Sequence, residues 1–171
     1  GEMNLIVDTP VEMFDKVMSV NVRGVWLGLK YIMPEMNKRG GGSIVITSSG
    51  AGVRGSPRMS PYSTSKHAVI GLMRSAAMEG SSMGIRVNTV NPAPIQTRMM
   101  RSIESQRLAI GGQGFTSVEE IQDATAETSP LKRYGEPEEV ANLMMFLASD
   151  ESSYCNGGVY MVDGGVTAGR M

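Results

Sequence analysis

Ser43-Ile44-Val45-Ile46-Thr47-Ser48, set between Arg39-Gly40-Gly41-Gly42 and a Gly/Pro-rich stretch from Gly50 to Pro61, decides the fold. A β-branched run bounded on both sides by turn residues specifies a short buried strand. Helical patterns flank it. Upstream, apolar residues recur at Phe14, Met18, Val22, Val25, Trp26 and Leu29, in a helix expected to reach about Met36. Thr9 is its expected N-cap, Pro10 its first residue and Glu12 the partner that completes a capping box. Downstream, Tyr62 to Glu79 carries Ala68, Val69, Leu72 and Ala76 as an apolar stripe. The alternation then repeats. Ile85 to Val90 forms a second strand, ended by Asn91-Pro92-Ala93-Pro94. Glu136-Pro137-Glu138 opens a helix with Val140, Leu143, Met144 and Leu147 on one face, and Val159 to Val162 forms a third strand before Asp163-Gly164-Gly165. This order predicts an α/β fold: a parallel sheet with helices on its faces. Three strands make a small parallel sheet, and buried parallel strands need neighbours on both sides, so the sequence reads as the second half of a larger fold.

Residues 95–135 interrupt the alternation. Met99, Met100, Ile103 and Leu108 predict one amphipathic helix, Ser117-Val118-Glu119-Glu120 a second capping box, and Gly111-Gly112-Gln113-Gly114 a joint between them. The segment is too long for a simple connection and reads as functional.

The 171 residues, 18.3 kDa, are the size of one domain. Sixteen Lys and Arg against seventeen Asp and Glu give a net charge of −1, with no basic excess for nucleic acid. Aromatic residues, at 5%, are too few for a base-stacking surface. No apolar run approaches the ~20 residues of a membrane span. A single cysteine, Cys155, allows no internal disulfide and points to a cytoplasmic protein; with one histidine, His67, it leaves too few soft ligands for zinc. The opening GEMNLIVDTP shows no initiator Met and no signal peptide, and is compatible with the interior of a longer protein.

Two motifs mislead. Gly50-Ala51-Gly52-Val53-Arg54-Gly55 matches a dinucleotide fingerprint, but Pro57 and Pro61 delay the helix that must follow it, and the next strand ends without an acidic residue. Gly80-Ser81-Ser82-Met83-Gly84 matches a nucleophile elbow but runs from helix to strand, the wrong way round. Tyr62-Ser63-Thr64-Ser65-Lys66 is the stronger signal. Tyr62 and Lys66 share one helix face, and Ser48, Ser49 and Asn91-Pro92 end strands at the sheet edge where open α/β folds bind ligands. A neighbouring ammonium favours a phenolate, which makes a tyrosine a usable base.

With Val20-Asn21-Val22, Gly42 to Ser49, Tyr62 to Lys66, Ile85 to Pro92, Gly135 to Ala141 and Val162 to Gly165 in order, the chain resembles the short-chain dehydrogenase/reductase family over nearly all its length. The resemblance implies a Rossmann-like doubly wound sheet, here incomplete. It implies NAD or NADP as cofactor and hydride transfer with a small alcohol or carbonyl substrate. Tyr62 would be the general acid/base and Lys66 its modulator and ribose ligand. Ser49, thirteen residues before Tyr62, would polarise the substrate oxygen. Asn21 would hold a water that leads a proton towards Lys66. Pro92, the Ile95 backbone and the Thr97 hydroxyl would meet the nicotinamide, with helix capping as the plainer role for Thr97. The 95–135 segment corresponds to the family's substrate lid, and its apolar residues suit an uncharged substrate, although Arg98, Arg101 and Arg107 admit an acidic one. His67 points away from the face of Lys66 and is not expected to act.

Four features depart from the family pattern. The amino-terminal glycine loop, the residue that selects between NAD and NADP, and the N-N-A-G strand do not occur in the 171 residues, and Ala93 stands where glycine is usual. The chain by itself is therefore expected to bind no dinucleotide, and a non-catalytic fragment that keeps only packing surfaces is the alternative reading. Self-association into a dimer or tetramer is expected through the first helix and the Tyr62 to Glu79 helix, from Val25, Trp26, Leu29, Met73 and Met78.

Overall fold

Strands β1 (Gly42–Thr47), β2 (Ile85–Pro92) and β3 (Val159–Val162) form one parallel sheet in the order β1-β2-β3. The computed structural model describes residues 2–169. Gly42 pairs with Ile85 and Thr47 with Val90; Thr89 pairs with Val159 and Pro92 with Val162. β2 is therefore laddered on both sides, which explains its nearly continuous burial. The β1–β2 ladder starts where backbones nearly touch. A Cβ on Gly41 would lie 2.2 Å from the Gly84 carbonyl oxygen, and both residues have positive φ.

Helices cover both faces. Ahead of β1 run α1 (Val11–Met18), a π-turn (Ser19–Arg23) and α2 (Gly24–Lys38); α3 (Ser60–Gly80) joins β1 to β2. The predicted first helix thus runs on continuously through a π-turn that contains Asn21. Its start also differs from expectation. Pro10 takes the N-cap position, while the Thr9 hydroxyl donates to Leu5 O (2.8 Å) and closes a preceding 3-10 turn instead of capping. Leu29 and Met33 of α2 pack with Val69, Ile70, Met73, Ala76 and Ala77 of α3 on Ile46, Ile85 and Val87. Leu29 and Met73 are thus core residues, not association surface; Trp26 and Met78 are exposed, as are Val20, Tyr31 and Ile32.

Alternation along β2 turns Arg86 to the other face, against α6 (Pro137–Ala148). The Arg86 guanidinium donates to the carbonyls of Leu147, Ser149 and Cys155 and to Ser152 Oγ. It satisfies carbonyls that a helix C-terminus otherwise leaves open. At the other end of α6, Glu139 accepts the Glu136 N–H (2.8 Å) and a two-pronged contact from Arg133 (2.7 and 2.8 Å). Those donors hold its carboxyl down at about 2.

Between β2 and α6 lie α4 (Arg98–Ala109), a 3-10 turn (Gly112–Gly114) and α5 (Val118–Ala126). Ser117 caps α5 by accepting the Glu120 N–H (3.2 Å), while the Glu120 carboxylate takes the N–H and hydroxyl of Thr116. Ile95 bridges Gly135, so the ends of the 95–135 segment meet at the carboxyl edge of the sheet.

Candidate active site

The carboxyl end of β1 and the first turns of α3 are held together by two bonds. Ser48 Oγ donates to Lys66 O (3.0 Å), and Lys66 Nζ donates to Thr47 O (3.0 Å). Gly52 makes this closeness possible, since a Cβ there would stand 2.6 Å from Ser48 Oγ and 2.9 Å from Lys66 O. The second glycine of the false fingerprint is thus a packing residue. Gly50 to Gly52 form a 3-10 turn, not the start of a phosphate-binding helix.

The two serines differ. Ser48 is 2% exposed and its proton is committed to Lys66 O. Ser49 is half-buried and caps the 3-10 turn by accepting the Ala51 N–H (3.1 Å), which occupies a lone pair and leaves its proton to be given elsewhere. One helical turn separates Tyr62 from Lys66, and the ammonium lies 5.6 Å from the centre of the Tyr62 ring. Burial pushes the Lys66 ammonium below its ordinary pKa.

Asn21 sits in the π-turn and donates from Nδ2 to Ser65 Oγ (3.0 Å), which in turn donates to Tyr62 O (2.7 Å). Its direct partner is therefore the helix that carries Tyr62 and Lys66. π-turns are rare and recur at functional sites. Pro92 closes β2, and its carbonyl oxygen lies 3.5 Å from where a Gly50 Cβ would stand. Ala93 is absent from the positive-φ residues, so the methyl that replaces glycine is accommodated.

In the Ile95–Gly135 bridge the bonds run from Gly135 N to Pro94 O (3.1 Å) and from Gln96 N to Gly135 O (2.9 Å). The N–H and C=O of Ile95 itself are not used by Gly135. Thr97 caps α4 by accepting the Met100 N–H (3.3 Å). A cavity of about 60 Å³ lies between Ile95, Ser129, Tyr134 and Gly164. His67 is exposed, with Nδ1 2.9 Å from Ser63 O, a helix-surface contact remote from the Lys66 face. Sequence reasoning missed one feature, the burial of Glu104. The signal was present, because Glu104 falls between Met100 and Leu108 on the apolar stripe of α4.

The donors at this edge suit one end of a dinucleotide. An ammonium and a phenol fit ribose hydroxyls, and the Ile95 N–H and C=O, which Gly135 does not use, fit a carboxamide. Among the described residues no glycine loop between strand and helix offers a pyrophosphate cradle. No group of metal-ligating side chains and no helix long and apolar enough to cross a membrane occurs among them either.

A parallel sheet with helices on both faces defines a Rossmann-like α/β fold, and comparison with known proteins narrows the class. A family model described as "Enoyl-(Acyl carrier protein) reductase" matches residues 2–167. Levodione reductase of Leifsonia aquatica is 37% identical over 172 residues, 98% of this chain and 61% of the relative. Human dehydrogenase/reductase SDR family member 4 is 38% identical over 94% of this chain and 53% of its own. The crystal structure of levodione reductase superimposes with a TM-score of 0.92 at 37% identity, covering 99% of this chain and 64% of the other. That of NAD⁺-bound xylitol dehydrogenase gives 0.90 at 31%, covering 95% and 63%. The chain belongs to the short-chain dehydrogenase/reductase family. It spans about three fifths of the length of the curated relatives it matches.

Proposed function

We propose that these residues serve an NAD(P)-dependent oxidoreductase that interconverts a small alcohol and its ketone. The observation that carries the reading is the pair of bonds, Lys66–Thr47 and Ser48–Lys66, that ties the helix bearing Tyr62 and Lys66 to the strand end that Ser49 follows. The names of relatives, levodione reductase and cyclohexanol dehydrogenase among them, support hydroxyl and carbonyl chemistry.

Oxidising an alcohol removes a hydride from its carbon and a proton from its oxygen. When bound, the nicotinamide supplies the hydride acceptor, or the donor in reverse. The chain supplies everything at the oxygen. Tyr62 takes the proton there, or returns it during reduction. Ser49 donates its free proton to the same oxygen and stabilises charge that develops on it. Lys66, held by Thr47 O, presents a positive charge to the Tyr62 ring. Asn21 positions this machinery through Ser65. Pro92, the Ile95 backbone and Thr97 line the nicotinamide end, and the 95–135 segment covers the substrate as a lid. The exposed apolar residues of α2 and α3, Trp26 and Met78 among them, form a two-fold association surface for a dimer or tetramer. The single cysteine fits a cytoplasmic location.

Single alanine substitutions at the two serines test the assignment. In the cofactor-competent enzyme, Ser49→Ala is expected to lower kcat by ~10²-fold, the loss typical of one oxyanion donor. Ser48→Ala should act mainly on stability, because its hydroxyl ties β1 to α3. The reverse order in steady-state kinetics would put the reactive hydroxyl on Ser48.

A further inference from the structure

Away from the crevice, Glu104 in α4 is 1% exposed, and two donors meet its carboxylate. Tyr134 Oη donates to Oε1 (2.7 Å) and Gln122 Nε2 to Oε2 (2.8 Å). The three groups come from α4, α5 and the segment that leads into α6. Tyr134 precedes Gly135, which is bonded to residues 94 and 96 at the sheet edge. Residues 134 and 135 thus fasten the segment twice, once to the strand end and once to the middle of α4. Tyr134 also walls the cavity that Ile95 lines. A buried carboxylate is tolerated only while its donors are present, and removal of one partner leaves the other buried and unsatisfied. Loss of either contact therefore leaves a buried polar group without its partner.

We propose that Glu104, Tyr134 and Gln122 form a latch that sets α4 and α5 in place over the crevice, which makes Glu104 a positioning residue for the substrate lid. The inference rests on the reading of 95–135 as a lid. The latch itself is tested without turnover.

The test is hydrogen–deuterium exchange on the full chain. Glu104→Ala is expected to accelerate exchange across 98–126 by at least about tenfold, with amides of α3 and β2 unchanged. The double variant Glu104→Gln/Gln122→Glu keeps both contacts. The new amide accepts from Tyr134 and donates to the new carboxylate, so exchange should return close to that of the parent. Unchanged exchange across 98–126 in Glu104→Ala, equal acceleration in α3 and β2, or no recovery in the double variant would each overturn the latch. In the cofactor-competent enzyme, Glu104→Ala should raise KM more than it lowers kcat. A fall in kcat alone would contradict a positioning role. Failure of the oxidoreductase reading would instead appear as no turnover in the parent, with the exchange pattern intact.

Discussion

Gly52 decides how closely the lysine helix can approach the strand end. With Ser48 Oγ and the Lys66 carbonyl both inside 3 Å of a hypothetical Cβ, even one methyl must push α3 away from β1. The neighbouring atom at 2.9 Å is backbone and cannot swing aside. Gly52→Ala is therefore expected to lower stability by about 1–3 kcal/mol, the usual effect of overpacking. It should also weaken the hold of Thr47 O on Lys66. Denaturant titration checks this, and an unchanged midpoint would mean that the turn relaxes without disturbing the site. Burial likewise separates the two serines. Their identity and order were legible in the sequence, and counting back from Tyr62 already singled out Ser49. The reason to prefer it became visible only when Ser48 was found spending its proton on Lys66 O.

Among the elements, those defined by composition and periodicity were legible. β-branched runs between glycines gave β1 to β3 to within a residue or two, and the Tyr62/Lys66 helix began at Ser60, with Pro61 in its first turn. Departures arose where a side chain chose a partner that spacing does not reveal. Thr9 bonded backward to Leu5 O, and the π-turn at Asn21 left the apolar repeat almost undisturbed while inserting an extra residue per turn. The burial of Glu104 depends on partners 18 and 30 residues away, which local spacing does not reveal. The start of α6 carries a pH signature. Arg133 and the Glu136 N–H depress the Glu139 carboxyl from 4.5 to about 2. A depressed carboxylate contributes stability above its unfolded pKa, and that contribution fades as pH falls through the folded value. Between roughly pH 4.5 and 2, Glu139→Gln should therefore lose less stability on acidification than the parent. Thermal melts across that range should show the two curves converging at the acid end. Parallel curves would mean that the Arg133 contact is too exposed to matter.

At the level of the whole chain, three parallel strands with helices on both faces agree with the family that the comparisons show. β2 is enclosed, whereas β1 and β3 are each paired on one side among the described residues. The Ser-Tyr-Lys cluster stands where β1 and β2 end, and the 95–135 segment is tied at its base to the same edge by Ile95 and Gly135. In the proposed chemistry Tyr62 moves the proton while a nicotinamide takes or gives the hydride. The most direct measurement is steady-state turnover of Tyr62→Phe in the cofactor-competent enzyme, alongside its NAD(P) affinity. The account predicts a loss of at least ~10²-fold in kcat with cofactor binding and fold retained. Turnover close to that of the parent would contradict it.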